Sequence, residues 1–573
     1  MKKNSIIYLV LSLLLISCDV DGLFEVDIDA QTKEKVYSDV NLTKQVLYDL
    51  YGRMRQITDA NSNSFSMLMN MNATVAMLDN ATDDGAGNST RPGGFVAGIQ
   101  QYLTGAISAS SNPVANTHPW TFYYKAIKNA NVFIANVDSS PLENSEKTSS
   151  KNQARFLRAY FYHELFRWFG PLVITTEEID PFAFETTERA DLKTTVDFIV
   201  DEFDALSQPG VLPDSYEASD YGRATRGMAM AYKARTLLYA ASELHKASGR
   251  TWKEAADAAK ALIDEGLYEL YYDPSGERNY ARLFNTRVNS EIILSYLGSD
   301  TDLMMKCMPP WNPWNVGKEL ATCPTQWLID AFDMADGTEP IIGYNGTEPI
   351  INPESGYDEQ NPYANRDPRL QQIVLYHGNT WPLVNGSQQT LDITKPENMG
   401  SGYFLLKWSD NRIDYRKNGK SQQNFIMMRY AEVLLNYAEA INETEDTPSA
   451  RFSAVDALNQ IRRRAGITTD LEAEKFTQST LRERIRKERR VELCFEEHRF
   501  FDIRRWRIAK NVMTRPAVGI TIQNGRFVRR VMDTRFYVDR MDLSPLPMNE
   551  VNNCPLICLL YTSPSPRDRS LSR

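Results

Sequence analysis

The chain has 573 residues, 42% hydrophobic and 24% charged, with a formal net charge of −10. This composition suits a folded globular body of one large or two to three ordinary domains. The acidic balance excludes a typical nucleic-acid binder, which needs clustered, uncompensated Lys and Arg. The main basic run, Arg462-Arg463-Arg464, follows Ile461 in an amphipathic segment and reads as a solvated helix face. Aromatic residues are plentiful, with 28 Tyr, 24 Phe and 9 Trp, and composition does not divide them between core and stacking surface.

Lys2 and Lys3 precede an apolar run over residues 6–16 that ends Leu15-Ile16-Ser17-Cys18. Residues 1–17 therefore read as a signal peptide, too short for a spanning helix. The small residue before Cys18 and the aliphatic residue at minus three look like a bacterial lipobox. The mature chain is expected to begin at a lipidated Cys18, held to a membrane by its acyl chains. Asp19, Asp21, Glu25, Asp27 and Asp29 make residues 18–30 an acidic, extended tether. Beyond the signal, no stretch reaches the ~18 uninterrupted apolar residues of a spanning helix.

Residues 31–290 read as helices in series. Leu42, Val46, Leu47, Leu50 and Met54 mark the first, over 42–54. Residues 79–105 are polar and rich in Gly and Asn, and read as loop. Asp79, Asp83, Asp84 and Gly85 raise calcium, but the EF-hand spacing fails because Arg91 stands where a bidentate Glu is needed. No cofactor is expected, and calcium has no support. Further helices are expected at 120–137, 154–170, 194–206, 224–242 and 252–265. In HELFR, Arg167 occupies the second His position of HExxH, so His163 is expected to be neutral and hydrogen-bonded, not a metal ligand. Ala229, Ala231, Ala234, Ala255, Ala258 and Ala259 would let neighbouring helices approach closely. The series suggests a degenerate tetratricopeptide-like array without the strict ~34-residue period.

From residue 291 to 553 the texture changes. EIILSYL at 291–297 reads as a strand. CMPPWNPWNVG at 307–317 is too rich in Pro for a helix or central strand. Trp311 and Trp314 are either a plug over the core or an exposed ligand platform flanked by Asn312 and Asn315. The platform is preferred, because loops run over surfaces. Cys307 and Cys323 bracket this loop, and a disulfide between them is expected in an exported protein. No Cys or His spacing suits zinc. Residues 403–408 are strand-like, and helices are expected at 429–442 and 455–466. In 481–506, Glu483 with Lys487 and Arg484 with Glu488 place opposite charges on one helix face. Cys494 there reads as a small buried hydrophobe. The expected fold is mostly α, a tetratricopeptide-like helical array with an irregular, loop-rich portion carrying a few short strands.

The order Glu488, Arg489, Glu492, Leu493, Phe495, Glu496, Arg499, Asp502, Arg504, Arg505, Trp506 resembles the C-terminal signature of the SusD/RagB family of outer-membrane nutrient-binding lipoproteins. RYAEVLLNYAEAIN at 429–442 and VDALNQIRRRAG at 455–466 are similar to further family strings, as are IDAFDMADG at 329–337, DPRL at 367–370 and the segment 154–172. The resemblance implies a cell-surface protein facing the exterior. It would capture oligosaccharides, or peptides in some members, and hand them to a SusC-like TonB-dependent transporter that it caps. It implies no enzyme, and no phosphate loop, GxSxG or HExxH occurs. The rival readings are a surface glycoside hydrolase using two carboxylates, and a repeat scaffold that binds only protein. LSPLPMNE at 543–550 resembles the family's closing string. Residues 554–573 depart from it and are expected to be a non-native, poorly packed tail; the alternative is docking through Leu556, Ile557, Leu559 and Leu560.

Overall fold

The computed structural model describes residues 32–54, 78–87, 97–110, 119–178, 187–274, 279–297, 322–384, 387–394, 400–408, 410, 424–554 and 556–557. The principal helices are α1 (Val40–Gly52), α2 (Ala97–Thr104), α3 (Pro119–Asn136), α4 (Asn144–Phe169), α5 (Leu192–Leu206), α6 (Arg226–Ala241), α7 (Trp252–Glu265), α8 (Tyr430–Thr444), α9 (Pro448–Ala465), α10 (Gln478–Glu492) and α11 (His498–Arg505). Helix α2 lies inside the stretch read as loop, and α4 begins ten residues before its expected start.

Local chemistry sets the helix ends. Asp39, Asp191, Thr225, Thr447 and Thr477 each accept a backbone N–H of the first turn. Thr251 and Glu254 form a capping box on α7. Gly466 closes α9 at φ +90°, a conformation that penalises a Cβ.

The helices pack in sequence order: α3 on α4, α5 on α6, α6 on α7, α7 on α8, and α8 on both α9 and α10. This is the tetratricopeptide-like arrangement the sequence suggested. Ala229, Ala231 and Ala234 of α6 and Ala255 and Ala259 of α7 are buried, and the two helices pack together, while Ala258 is half-buried. One core joins residues from both halves of the chain, including Phe161, Tyr232, Leu238, Leu294, Leu434 and Leu458. A second, smaller core holds Phe284, Ile329, Phe332, Trp408 and Phe495 beneath the irregular portion. The strands there form two-stranded antiparallel pairs, among them Ile292–Tyr296 with Phe425–Arg429 and Ala517–Gln523 with Arg526–Asp533.

The signature segment is two helices with a break at 493–497. Phe495 and Glu497 take positive φ there, at 57° and 66°. Asp79 stabilises the break by accepting the N–H groups of both residues, each at 3.2 Å. Asp83 and Asp84 are taken by arginines: Arg499 forks onto Asp83 at 2.8 and 2.9 Å, and Arg490 Nε lies 2.5 Å from Asp84. These carboxylates hold the signature in place. Among the described residues no group of His, Cys, Asp and Glu converges as a metal site.

Two sequence expectations fail here. Arg462 and Arg464 are buried, each 1% exposed, and only Arg463 meets solvent. Successive helix positions are ~100° apart, so Arg462 and Arg464 flank Arg463 and can turn inward while it faces water. Arg464 pairs with Glu291 at 2.8 Å and with Glu492, and Arg462 with Asp333 at 3.2 Å. Lys487 reaches Asp333 and Glu339 instead of Glu483, which pairs with Arg486. Arg484 does meet Glu488, at 3.0 Å.

The tail boundary also moves. Cys554 and Ile557 pack in the main core, and Arg189 Nε donates to the Ile557 carbonyl at 2.7 Å. Packing thus continues at least to Ile557, because Ile557 supplies an apolar side chain and a paired backbone acceptor. Residues 558–573 lie outside the described residues.

Candidate functional site: a tyrosine-lined cleft

A cleft of about 330 Å³ opens where three segments meet: the C-terminal turn of α1, the turn 219–223 before α6, and the end of the strand Ile292–Tyr296. Tyr48, Tyr51, Tyr221, Arg223 and Tyr296 present side chains to it. Tyr48 lies on the polar side of α1 and is 49% exposed, a large aromatic surface left open to water.

The walls are fixed from behind. The Tyr51 hydroxyl donates to Gln153 Oε1 and accepts from Ala224 N, both at 2.8 Å. Tyr160 donates to the Met54 carbonyl at 2.7 Å, holding the end of α1. Gly222 has φ +95°, and a Cβ there would lie 2.8 Å from Leu297 Cδ1, so glycine lets the turn sit against the strand end. Arg223 Nη2 donates to the Tyr48 hydroxyl at 3.0 Å, and its Nε lies 3.2 Å from Asp220 Oδ1. Burial pushes the phenols of Tyr51 and Tyr221 up, so both stay neutral. The cleft therefore offers flat aromatic faces beside a guanidinium, a carboxylate and neutral hydroxyls. That set suits a ligand with apolar C–H faces and many hydroxyl groups.

Among the described residues, the buried carboxylates of the signature segment are engaged with arginines and a lysine. Burial disfavours ionised Glu492, but the Arg464, Arg429 and Arg369 charges overcome this and hold its carboxyl below the usual range. Glu488, Glu496 and Asp502 are likewise opposed by burial and lowered by their arginine partners, with Lys407 also acting on Glu496. His163 is buried, its Nδ1 lies 2.8 Å from Thr236 Oγ1, and burial keeps it neutral.

Cys18, Cys307, Trp311, Asn312, Trp314 and Asn315 lie outside the described residues, so the proposed platform and disulfide stay proposals. Cys323 is buried in the strand Thr322–Pro324, opposite Ala86, and burial pushes its thiol up to about 11. The sequence reading missed Tyr48, Tyr221, Arg223 and Tyr296. The available signal was Tyr48, an aromatic outside the apolar stripe of its helix; the other three sit in a turn and at a strand end, where no period marks them.

A model of the "SusD family" matches residues 290–557, and a model described as "Starch-binding associating with outer membrane" matches residues 28–238. The chain belongs to the SusD/RagB family. SusD-like protein P2 of Formosa agariphila is 24% identical over 424 residues, covering 69% of this chain and 72% of that one. A crystal structure of a SusD-like protein from Bacteroides fragilis is 28% identical with TM-score 0.75, covering 91% of this chain and 97% of that one. A SusD-like carbohydrate binding protein from the same species shares the fold at TM-score 0.73 and 22% identity, covering 91% and 99%. A laminarin binding SusD-like protein shares it at TM-score 0.59 and 21% identity, covering 91% and 99%. In this SusD/RagB chain the signature residues are structural: they build the buried ion network, while the cleft lies on other segments. Among the described residues no helix is long and apolar enough to cross a membrane.

Proposed function

We propose that this protein is a cell-surface glycan-binding lipoprotein that takes up oligosaccharides in the tyrosine cleft and delivers them to a SusC-like TonB-dependent transporter. The observation that carries the reading is the exposed Tyr48 beside Arg223 in a chain of the SusD/RagB family. Sugar C–H faces stack on aromatic rings, and hydroxyls pair with guanidinium and carboxylate groups. Support comes from the starch-binding family description and from the carbohydrate- and laminarin-binding proteins that share the fold. Attachment at Cys18 would hold the body at the outer membrane, facing outward. Trp311 and Trp314, with Asn312 and Asn315, would add stacking and hydrogen-bonding surface, and a Cys307–Cys323 bridge would stiffen their loop. Binding is the activity, with no catalytic step.

The test is a glycan array probed with the full chain and its Tyr48→Ala variant. Retention on one glycan class, weakened in the variant and without hydrolysis, is the expected result. Failure to bind any glycan, or release of shortened products, would overturn the reading. Trp311→Ala and Trp314→Ala should weaken the same binding with thermal stability unchanged; early unfolding with unchanged binding would make them core.

A further inference from the structure

A second cleft, of about 370 Å³, lies between other elements: the end of α6, the start of α7, and the facing sides of α8 and α10. It shares no lining residue with the tyrosine cleft. Its floor is Ala241 and Ile485, both buried. Trp506 forms one wall and is locked: its indole N–H donates to Glu439 Oε1 at 2.6 Å, and Arg486 and Arg505 lie 4.9 and 4.7 Å from its ring. Trp252, the first residue of α7, also lines the cleft and is half-buried.

Donors and acceptors both line the cleft. Glu243 and Glu483 are largely exposed and keep lone pairs to offer, although each touches one cation of its own helical segment. Arg482 and Arg486 supply N–H groups; Arg482 is held by a two-pronged pair with Glu443, both contacts at 2.6 Å. Every carboxylate of the lining has a basic partner: Glu243 with Lys246, Glu439 with Arg505, Glu443 with Arg482, Glu483 with Arg486. An anionic ligand would face Glu243 and Glu483, and a cationic one Arg482 and Arg486, so either would meet like charge. A hydroxyl group donates and accepts at once and fits both sets. The indole of Trp252 suits the apolar face of a ring that carries such hydroxyls.

We propose that this cleft is a second binding site, for an uncharged saccharide unit, stacked on Trp252 and hydrogen-bonded between the Glu243/Glu483 and Arg482/Arg486 lips. Such a site would let one chain grip a long glycan, or two glycans, at separate points. Linking two weak contacts through one ligand raises the overall affinity beyond either alone. The inference stands on this cleft's own donors, acceptors and indole, and does not need the tyrosine cleft to be occupied.

The test is hydroxyl-radical footprinting of the full chain, read at Trp252 by mass spectrometry. The probes are maltose and laminaribiose, with digalacturonic acid and the glucosamine disaccharide as charged counterparts. A neutral disaccharide should protect Trp252, equally in the wild type and in Tyr48→Ala, with the charged pair far weaker. Glu483→Ala alters an exposed side chain and should keep the wild-type melting temperature. It should shift the protection curve to about tenfold higher sugar concentration, the factor given by ~1.4 kcal/mol. Absence of protection by either neutral disaccharide overturns the site. Equal protection by the charged probes overturns its ligand class, and loss of protection in Tyr48→Ala overturns its independence. Protection of Trp252 together with glycan-array binding that Tyr48→Ala leaves unchanged would refute the tyrosine-cleft reading while leaving this site standing.

Discussion

Arg429 Nη1 lies 2.6 Å from Glu492 Oε1, and both side chains are almost wholly buried. The same guanidinium meets Glu291 at 2.7 Å and Glu496 at 2.7 and 2.8 Å. One arginine thus ties the start of α8 to the end of α10, to the helix break and to the residue preceding the strand Ile292–Tyr296. Removing one member of a buried pair leaves an uncompensated charge, a loss of about 3–5 kcal/mol. Arg429→Ala and Arg464→Ala should each destabilise the fold on that scale. Arg463→Ala, next door but exposed, should change it by at most about 0.5 kcal/mol. Urea unfolding of the three variants compares them directly; equal midpoints would show the network contributes little.

Stability should fall as the solution is acidified from about pH 6.5. Burial lowers the basicity of His163, His245 and His498, and it holds His245 at about 3. Neighbouring arginines add to this: Arg167 and Arg235 at His163, Arg505 at His245, Arg489 at His498. The unfolded chain takes up protons that the native chain refuses, so each imidazole removes stability as pH drops below its unfolded value. The lowered carboxyls of Glu488, Glu492, Glu496 and Asp502 act in the same direction below about pH 4.5. Asp79 and Asp84 are raised, chiefly by burial, and oppose this trend. Melting temperature measured from pH 8 to pH 3 should decline progressively; a maximum near pH 4 would contradict the assignment.

Two tyrosines of the cleft should separate binding from folding. Tyr48→Ala removes an exposed ring and should weaken glycan binding about tenfold, a loss of ~1.4 kcal/mol, with the melting temperature unmoved. Tyr51→Phe deletes the hydroxyl that satisfies Ala224 N and Gln153. It should lower stability by about 1–3 kcal/mol through the unpaired backbone donor. Calorimetric titration paired with thermal unfolding reads both effects; a reversed pattern would place Tyr48 in the core and Tyr51 at the ligand.

Ile557 is 3% exposed and belongs to the main core. Ile557→Ala should lower stability by about 2–5 kcal/mol, whereas deleting residues 558–573 should leave the melting temperature unchanged. A neutral Ile557→Ala variant would return the boundary of the fold to Glu550 or Asn553.

Cys18→Ala should move the protein from the membrane fraction to the soluble fraction, since the two acyl chains that make anchoring stable depend on that thiol and its amine. Tight membrane association of the variant would mean another anchor.

Much of the fold was legible because apolar residues at helical spacing report burial directly. The stripe Ala431, Leu434, Leu435 and Ala438 of the expected helix at 429–442 is buried in the folded chain. The family, too, could be read from the order of Glu488 to Trp506. What the sequence could not disclose is which charges go inside. Arg462, Arg463 and Arg464 are chemically alike, and their partners Asp333, Asp470 and Glu291 lie 129, 7 and 173 positions away. Only the docking of α9 against the irregular portion decides that two are buried and one is not. The cleft follows the same rule. Tyr48, Arg223 and Tyr296 sit on a helix, a turn and a strand end, and become one surface only when α1, the approach to α6 and that strand pack together. Periodicity is local and survives in one dimension, whereas partner choice and concavity are properties of distant segments brought together.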